Sequence, residues 1–286
     1  MKNSLNYYNI KFSQKITLLV CAFLLCLIVT TMLNTLVLSI TGADSMLYIN
    51  ISIITQNLLA FILPVIITAV FITPSPVKFM ELDKLPSGRV LMFLICAYIA
   101  MTPALNFIVE WNKNISFPES MAGIESMMRN AENAALAVTD KILDRNNILL
   151  SILLVGCLTG LSEEVFFRGG LQKILLSRPI NAHIAIWLTA FIFSLMHFQF
   201  FGFVPRVLIG AFFGYLAWWS GSLWTAVIAH AINNSTVIVA HAINKQYAFN
   251  LDNLGVPQAG EFPWLAIASI IVTTILIIWY KKTASK

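Results

Sequence analysis

The chain has 286 residues, of which 58% are hydrophobic and only 11% are charged, with a formal net charge of +5. A soluble globular domain has roughly 25% charged residues, so this chain lacks the polar side chains that would cover its surface in water. The composition excludes an ordinary soluble enzyme, a disordered chain and a nucleic-acid binder with a basic face. It predicts instead a protein that is embedded in a lipid bilayer.

Long uncharged runs predict about eight transmembrane helices, each of which needs roughly 20 mostly apolar residues. Because lipid offers no partner to backbone polar groups, the fold class predicted is an all-α, polytopic integral membrane protein. The longest run is divided into two helices by Ser220, Gly221 and Ser222. The runs are, in chain order, 16–41, 49–73, 90–109, 147–162, 182–203, 207–244 (two helices) and 262–280.

The connecting segments indicate the orientation of the chain. Segment 110–146 predicts one or two amphipathic helices at the membrane interface (121–128 and 134–143), and 246–261 predicts a loop. Lysine and arginine favour the cytoplasmic side, so their placement predicts that both termini are cytoplasmic. The inner segments then hold twelve of the eighteen basic residues: Lys2, Lys11, Lys15, Lys78, Lys84, Arg89, Arg168, Lys173, Arg178, Lys281, Lys282 and Lys286.

Two adjacent glutamates, Glu163 and Glu164, directly follow sixteen uncharged residues. Ionisable residues within a membrane segment are costly and suggest a functional site. On a helix Glu164 can pair with Arg168 four residues later, while Glu163 points about 100° away and stays free for chemistry. A carboxylate in a low-dielectric site suits a general acid or base near neutral pH. The alternative is a charged helix end with a local ion pair.

Histidines on two other predicted helices extend this candidate site. His197 lies near the end of the fifth predicted helix, and His230 and Asn234 share one face of the seventh through their i, i+4 spacing. An imidazole and a carboxamide so placed are two ligands of one site, two donors aimed at one oxygen, or a polar stripe between helices. His241 lies about 16 Å along the axis from His230. We assign His241 and His183 to structural or interfacial roles.

Three motifs resemble those of the CPBP intramembrane proteases. They are Glu163-Glu164-x-x-x-Arg168, Phe193-x-x-x-His197 and His230-x-x-x-Asn234, in order and in apolar context. That family includes the type II CAAX prenyl endopeptidases, bacteriocin-processing and self-immunity proteins, and abortive-infection (Abi) proteins. The resemblance covers about 150 to 245, and it implies a water-filled cavity among four core helices.

The resemblance also implies a mechanism. Glu163 would activate a water that attacks a peptide carbonyl, assisted by His197. His230 and Asn234 would hydrogen-bond the oxyanion where its charge develops. Glu164 and Arg168 would form a supporting ion pair.

A second mechanism implied by the resemblance uses zinc. The family has also been described as metalloproteases, with ligands that correspond to Glu163, His197 and His230. The chain has no His-Glu-x-x-His motif, the commonest zinc-protease signature, and asparagine is a poor zinc ligand but a good oxyanion donor. We favour the mechanism without a metal, with zinc as the open alternative.

The domain organisation predicted on this basis has three parts. Residues 1–146 form an N-terminal membrane region of three helices plus the interfacial segment, 147–245 form the CPBP-like catalytic core, and 246–286 form a loop and the final helix. We expect an intramembrane endopeptidase of a cell (cytoplasmic) membrane that cleaves a membrane-associated protein or peptide. The alternative is a non-catalytic immunity or scaffold protein that binds a peptide in the same cavity, and a transporter is a weaker third option.

Overall fold

The computed structural model describes residues 9–145, 147–178, 180–247, 251–258 and 260–284. Lys2 and Lys286, which we counted among the inner basic residues, lie outside these ranges. Helices and loops account for the described residues, which contain no β-strand. Seven helices among them are long and apolar enough to cross a membrane, which confirms the all-α polytopic fold.

Nine helices longer than two turns build the described part of the chain. The second and fifth are continuous but contain π-helical stretches. The predicted interfacial segment is a single helix, α4. The bounds are α1 Phe12–Thr41, α2 Met46–Ile72, α3 Gly88–Lys113, α4 Ala122–Arg145, α5 Ile148–Leu176, α6 Ala182–Leu195, α7 Phe203–Ser220, α8 Leu223–Tyr247 and α9 Trp264–Ala284.

Helix α6 is much shorter than the predicted span 182–203. Its 14 residues extend about 21 Å, whereas the hydrocarbon core is about 30 Å thick. The helix ends before Phe198, which adopts a left-handed backbone conformation with φ of 53°. Helices α5 and α7 nevertheless run parallel, because residues 168 and 172 of α5 contact residues 210 and 214 of α7 at two successive turns. The short helix α6 therefore returns the chain in the opposite direction between them.

The depth of the site follows from the true helix ends. The uncharged run 147–162 is only the first part of the fourth helix: α5 continues to Leu176, with Gly169 and Gly170 inside it. At 1.5 Å per residue, Glu163 lies about 20 Å from the end of α5 at Leu176. His197 lies about the same distance from the start of α6, which follows that end of α5, so the two residues lie at similar depth. Arg168 is likewise inside the membrane segment and does not belong to an inner loop.

Glycines allow α5 and α8 to pack closely. A Cβ atom at Gly160 would lie 3.1 Å from the backbone nitrogen of Ala231, and one at Gly156 would lie 2.6 Å from the Ser235 hydroxyl. Small residues are favoured at membrane helix interfaces because they let backbones approach. This contact brings α8, which carries His230, against the helix that carries Glu163.

Polar contacts join helix α4 to the other helices. Lys141 pairs with Asp44 at 2.5 Å, and Asp144 accepts hydrogen bonds from Lys245 at 2.7 Å and from His241 at 3.0 Å. The hydrogen bonds from Lys245 and His241 hold the pKa of Asp144 below its usual range. His241 thus makes the interhelical contacts of a structural residue, the role predicted for it.

We predict that Gly160→Val separates α5 from α8 and lowers the stability of the protein. Overpacking a close contact costs about 1–3 kcal/mol, because the backbone of Ala231 cannot move aside as a flexible side chain can. Thermal unfolding in detergent measures the effect. Gly123→Val is the matched control, since a Cβ there meets nothing within 4 Å. Equal midpoints for the two variants would contradict the close-packing account.

Candidate active site

A buried ion pair forms the centre of the candidate site. Arg168 Nη1 donates to Glu164 Oε1 at 2.7 Å, and the two side chains are 1% and 0% exposed. The other terminal nitrogen, Nη2, donates to the Gly210 carbonyl at 2.6 Å. The rings of Phe193 and Phe213 lie 4.9 and 5.7 Å from the guanidinium carbon, close enough for cation–π attraction. These contacts offset part of the cost of burying both charges, while Glu164 Oε2 and Arg168 Nε have no hydrogen-bond partner among the described residues.

The same interface repeats one turn further along both helices. Gln172 Nε2 donates to the Gly214 carbonyl at 3.1 Å, just as Arg168 donates to Gly210. A Cβ atom would lie 3.3 Å from the Arg168 guanidinium at Gly210, and 2.8 Å from the Gln172 amide oxygen at Gly214. Glycine at both positions therefore leaves room on α7 for the polar side chains of α5.

His230 connects this ion pair to the second glutamate. Its Nδ1 lies 2.7 Å from Glu164 Oε1, and its Nε2 lies 3.6 Å from Glu163 Oε2. The imidazole stacks on the Phe213 ring with centroids 4.9 Å apart. An ionised carboxylate can only accept, so Nδ1 carries the hydrogen of the bond to Glu164. The Nε2 atom then faces Glu163, as an acceptor in neutral imidazole and as a donor in imidazolium.

His197 lies in the turn that follows α6 and is oriented by its own helix end. Its Nδ1 lies 2.8 Å from the Phe193 carbonyl, which can only accept, so Nδ1 carries the hydrogen and Nε2 is left for other partners. The Phe193 ring lies 4.9 Å from the His197 ring and 5.9 Å from the His230 ring. His197 lies within electrostatic range of Glu163. Phe193 thus packs between the two candidate histidines.

Asn234 lies one turn beyond His230 on α8. Its Nδ2 donates to the Val155 carbonyl at 3.1 Å, and its Oδ1 accepts from Asn233 Nδ2 at 3.0 Å. No hydrogen bond joins it to Glu163 or His230 in the described part of the chain. The i, i+4 spacing places the carboxamide on the same helix face as His230, about 6 Å along the axis.

The backbone around the glutamates is irregular. Residues Thr159–Glu164 are α-helical and lie between two π-helical stretches, Ile152–Leu158 and Val165–Gln172. The Ser162 hydroxyl donates a hydrogen bond to the Asn57 amide oxygen on α2. Such π-helical turns are frequent at functional sites, since they re-aim side chains without ending the helix.

A second arginine lies near the glutamates and was not among the predicted residues. Arg206 precedes Gly210 by one turn of α7 and donates two hydrogen bonds to Gln199, at 2.5 and 3.2 Å. Electrostatic attraction connects it with Glu163 and with Glu132 of α4. Glu132 in turn accepts a hydrogen bond from the Phe201 backbone at 3.0 Å, so α4 contacts the loop that follows His197.

Several other residues that build the site are not predicted from the sequence. Phe213 and Gly210 belong to an unbroken apolar run, where neither stands out by type. The spacing of Gly156 with Gly160, and of Gly210 with Gly214, is the one signal that indicates close helix contacts. By contrast, the Phe193 ring lies close to three predicted residues, Arg168, His197 and His230. Glu163 and Glu164 lie beside His230. His183 makes a separate hydrogen bond with Tyr215.

A catalytic zinc ion needs three protein ligands grouped around it, and the candidates here are Glu163, His197 and His230. Both candidate histidines are oriented through Nδ1 and present Nε2, as zinc ligands commonly do. Glu163, His197 and His230 are nevertheless not grouped: no three His, Cys, Asp or Glu side chains of the described ranges are spaced to hold a metal ion. The arrangement therefore does not fit a three-residue zinc site.

We predict that Arg168→Met strongly destabilises the fold. It leaves the fully buried Glu164 carboxylate without its cation, a change that costs about 3–5 kcal/mol. Thermal unfolding in detergent measures the loss. Lys141→Met is the control, because its partner Asp44 is 92% exposed and such pairs contribute at most about 1 kcal/mol. An Arg168→Met midpoint equal to that of the control would contradict this account of the ion pair.

The part of the chain that contains the site is similar to a known protein family. The model of a family described as "Type II CAAX prenyl endopeptidase Rce1-like" matches residues 145–236. No curated protein and no solved structure matches the chain. The matched range contains all three motifs, from Glu163 to Asn234. The resemblance to the CPBP intramembrane proteases is therefore confirmed over residues 145–236, and the match supports a CAAX-type intramembrane protease in general terms.

Proposed function

We propose that the protein is an intramembrane endopeptidase that hydrolyses a peptide bond of a membrane-associated protein or peptide. The observation that carries the proposal is the approach of His230 Nε2 to Glu163 Oε2, at 3.6 Å, while Nδ1 is held by Glu164. This places a possible hydrogen-bond donor for the substrate carbonyl beside the carboxylate that can activate a water. A purely structural ion pair between Glu164 and Arg168 would not require a second carboxylate beside the same imidazole.

In the proposed reaction Glu163 acts as general base. It takes a proton from a water molecule, whose oxygen forms a bond to the carbonyl carbon of the substrate. His197, with its hydrogen on Nδ1, accepts a hydrogen bond from the same water at Nε2. The C–N bond then breaks, and the proton held by Glu163 passes to the leaving amine nitrogen. Atoms and charges balance without a covalent enzyme intermediate.

The oxyanion of the tetrahedral intermediate needs donors where its charge develops. We assign that role to Asn234 Nδ2 and His230 Nε2, which share one face of α8. Because Nδ1 of His230 already donates to Glu164, Nε2 donates only in the imidazolium form. Glu164 and Arg168 thus act through His230 and do not contact the substrate.

The membrane and the substrate belong to the same proposal. We propose that the protein resides in a cell (cytoplasmic) membrane with both termini cytoplasmic, as the lysine and arginine bias indicates. The resemblance suggests a peptide or membrane-protein substrate. Nothing in the site residues requires a prenyl group on that substrate.

The first test replaces the proposed general base. We expect Glu163→Gln to abolish cleavage of a peptide library by the purified protein in detergent, since an amide cannot take a proton from water. Loss of a general base typically costs 10²- to 10⁴-fold in rate. The control is Glu119→Gln, an exposed glutamate remote from the motifs.

Retained cleavage in the Glu163→Gln variant would contradict the mechanism. The alternative is a non-catalytic immunity or scaffold protein. It would be supported if the wild-type protein binds a peptide without cleaving it and the Glu163→Gln and His230→Ala variants bind that peptide equally well.

The second test addresses the metal. We propose catalysis without a metal, on the ground that asparagine is suited to an oxyanion and that the histidines and Glu163 are not grouped as ligands. We expect elemental analysis of active protein to give much less than one zinc per chain, with activity unaffected by chelators. Stoichiometric zinc, with activity lost on chelation and restored by zinc, would support the alternative in which Glu163, His197 and His230 are ligands.

A further inference from the structure

A carboxamide serves as an oxyanion donor only if its NH₂ end faces the reacting carbonyl. The Asn234 side chain is fixed at both ends in the structure. Its Oδ1 accepts a hydrogen bond from Asn233 Nδ2 at 3.0 Å, and its Nδ2 donates one to the Val155 carbonyl at 3.1 Å. Reversing the amide would place two acceptors together at Val155 and two NH₂ groups together at Asn233.

This orientation leaves one donor free. A carboxamide NH₂ has two hydrogens, and the bond to Val155 uses one of them. The second hydrogen remains available on the helix face that Asn234 shares with His230. Because Asn233 Nδ2 donates to Asn234 Oδ1, Asn233 determines the orientation of the Asn234 carboxamide and leaves its NH₂ group for other acceptors.

The orientation of Asn233 is itself set by a residue outside the three motifs. The Tyr98 hydroxyl on α3 donates to Asn233 Oδ1 at 3.3 Å, so Asn233 directs its Nδ2 toward Asn234. The hydrogen bonds thus run in one direction, from Tyr98 through Asn233 and Asn234 to Val155. Tyr98 also precedes the range that matches the family, 145–236.

We propose that Tyr98 and Asn233 are positioning residues that hold the Asn234 carboxamide with its NH₂ end toward the substrate carbonyl. The proposal rests on the proposed endopeptidase function and extends it to α3, a helix without a motif. The competing role for the same contacts is helix–helix adhesion, in which polar side chains join α3 to α8 and the direction of the donors is immaterial.

The test is steady-state kinetics of the purified full-length protein on the library peptide that wild type cleaves fastest. We expect Asn234→Ala to lower kcat about 10²- to 10³-fold. Asn233→Ala and Tyr98→Phe should lower kcat about three- to tenfold, the worth of one hydrogen bond, with KM changed less than twofold. In an Asn234→Ala background, Asn233→Ala should add no further loss. Tyr215→Phe is the control, because it removes one hydroxyl from a hydrogen bond to His183.

The outcomes distinguish three cases: a positioning role, a purely structural contact between α3 and α8, and failure of the proposed endopeptidase function. Unchanged kcat in Tyr98→Phe and Asn233→Ala, with wild type active and Glu163→Gln inactive, would overturn the positioning role alone. A full independent loss from Asn233→Ala in the Asn234→Ala background would also overturn it. If Asn233→Ala does not fold, Tyr98→Phe decides the matter. Wild-type protein without cleavage, or active Glu163→Gln, overturns the proposed function and this inference together.

Discussion

The arrangement of the site depends on one buried ion pair, Glu164 with Arg168. Two unit charges enter a low-dielectric bundle, which is favourable only when each has several well-placed partners. Those partners come from three different helices: the Gly210 carbonyl on α7, His230 on α8 and the aromatic rings on α6 and α7. Satisfying the pair therefore fixes how α5, α7 and α8 meet. Glu163, one residue before, is placed beside His230 as a consequence.

The second constraint is depth in the membrane. A continuous α5 places Glu163 near its midpoint, and the early end of α6 places His197 at a comparable depth. Chain reversal by a short helix would leave polar backbone groups within lipid. The loop after α6 avoids this through contacts with α4 and α3, since Phe201 donates to Glu132 and Val204 donates to Asn112. Helix α4 thus satisfies one backbone donor of the loop that follows the short helix.

Scarcity of charge made the centre of the site predictable. In an apolar chain Glu163, Glu164, Arg168, His197 and His230 stand out by type alone, and spacing pairs two of them. Helix ends are harder to predict, because the charge of Arg168 favours an inner connecting segment although the residue lies within a membrane-spanning helix. The supporting residues Phe213, Gly210 and Tyr98 were beyond prediction, since their types are ordinary in membrane helices and only tertiary packing gives them partners. Asn234 was found by its spacing, but the role of its neighbour Asn233 required the direction of individual hydrogen bonds.

The central claim is that these polar residues form a hydrolytic site within the membrane. The most direct measurement compares peptide termini in the membrane and secreted fractions of cells that carry the native protein or the Glu163→Ala variant. The account predicts a defined set of new termini that require the native protein and disappear with the variant, while the variant is present at an equal level in the membrane. Identical termini in the two strains would contradict it.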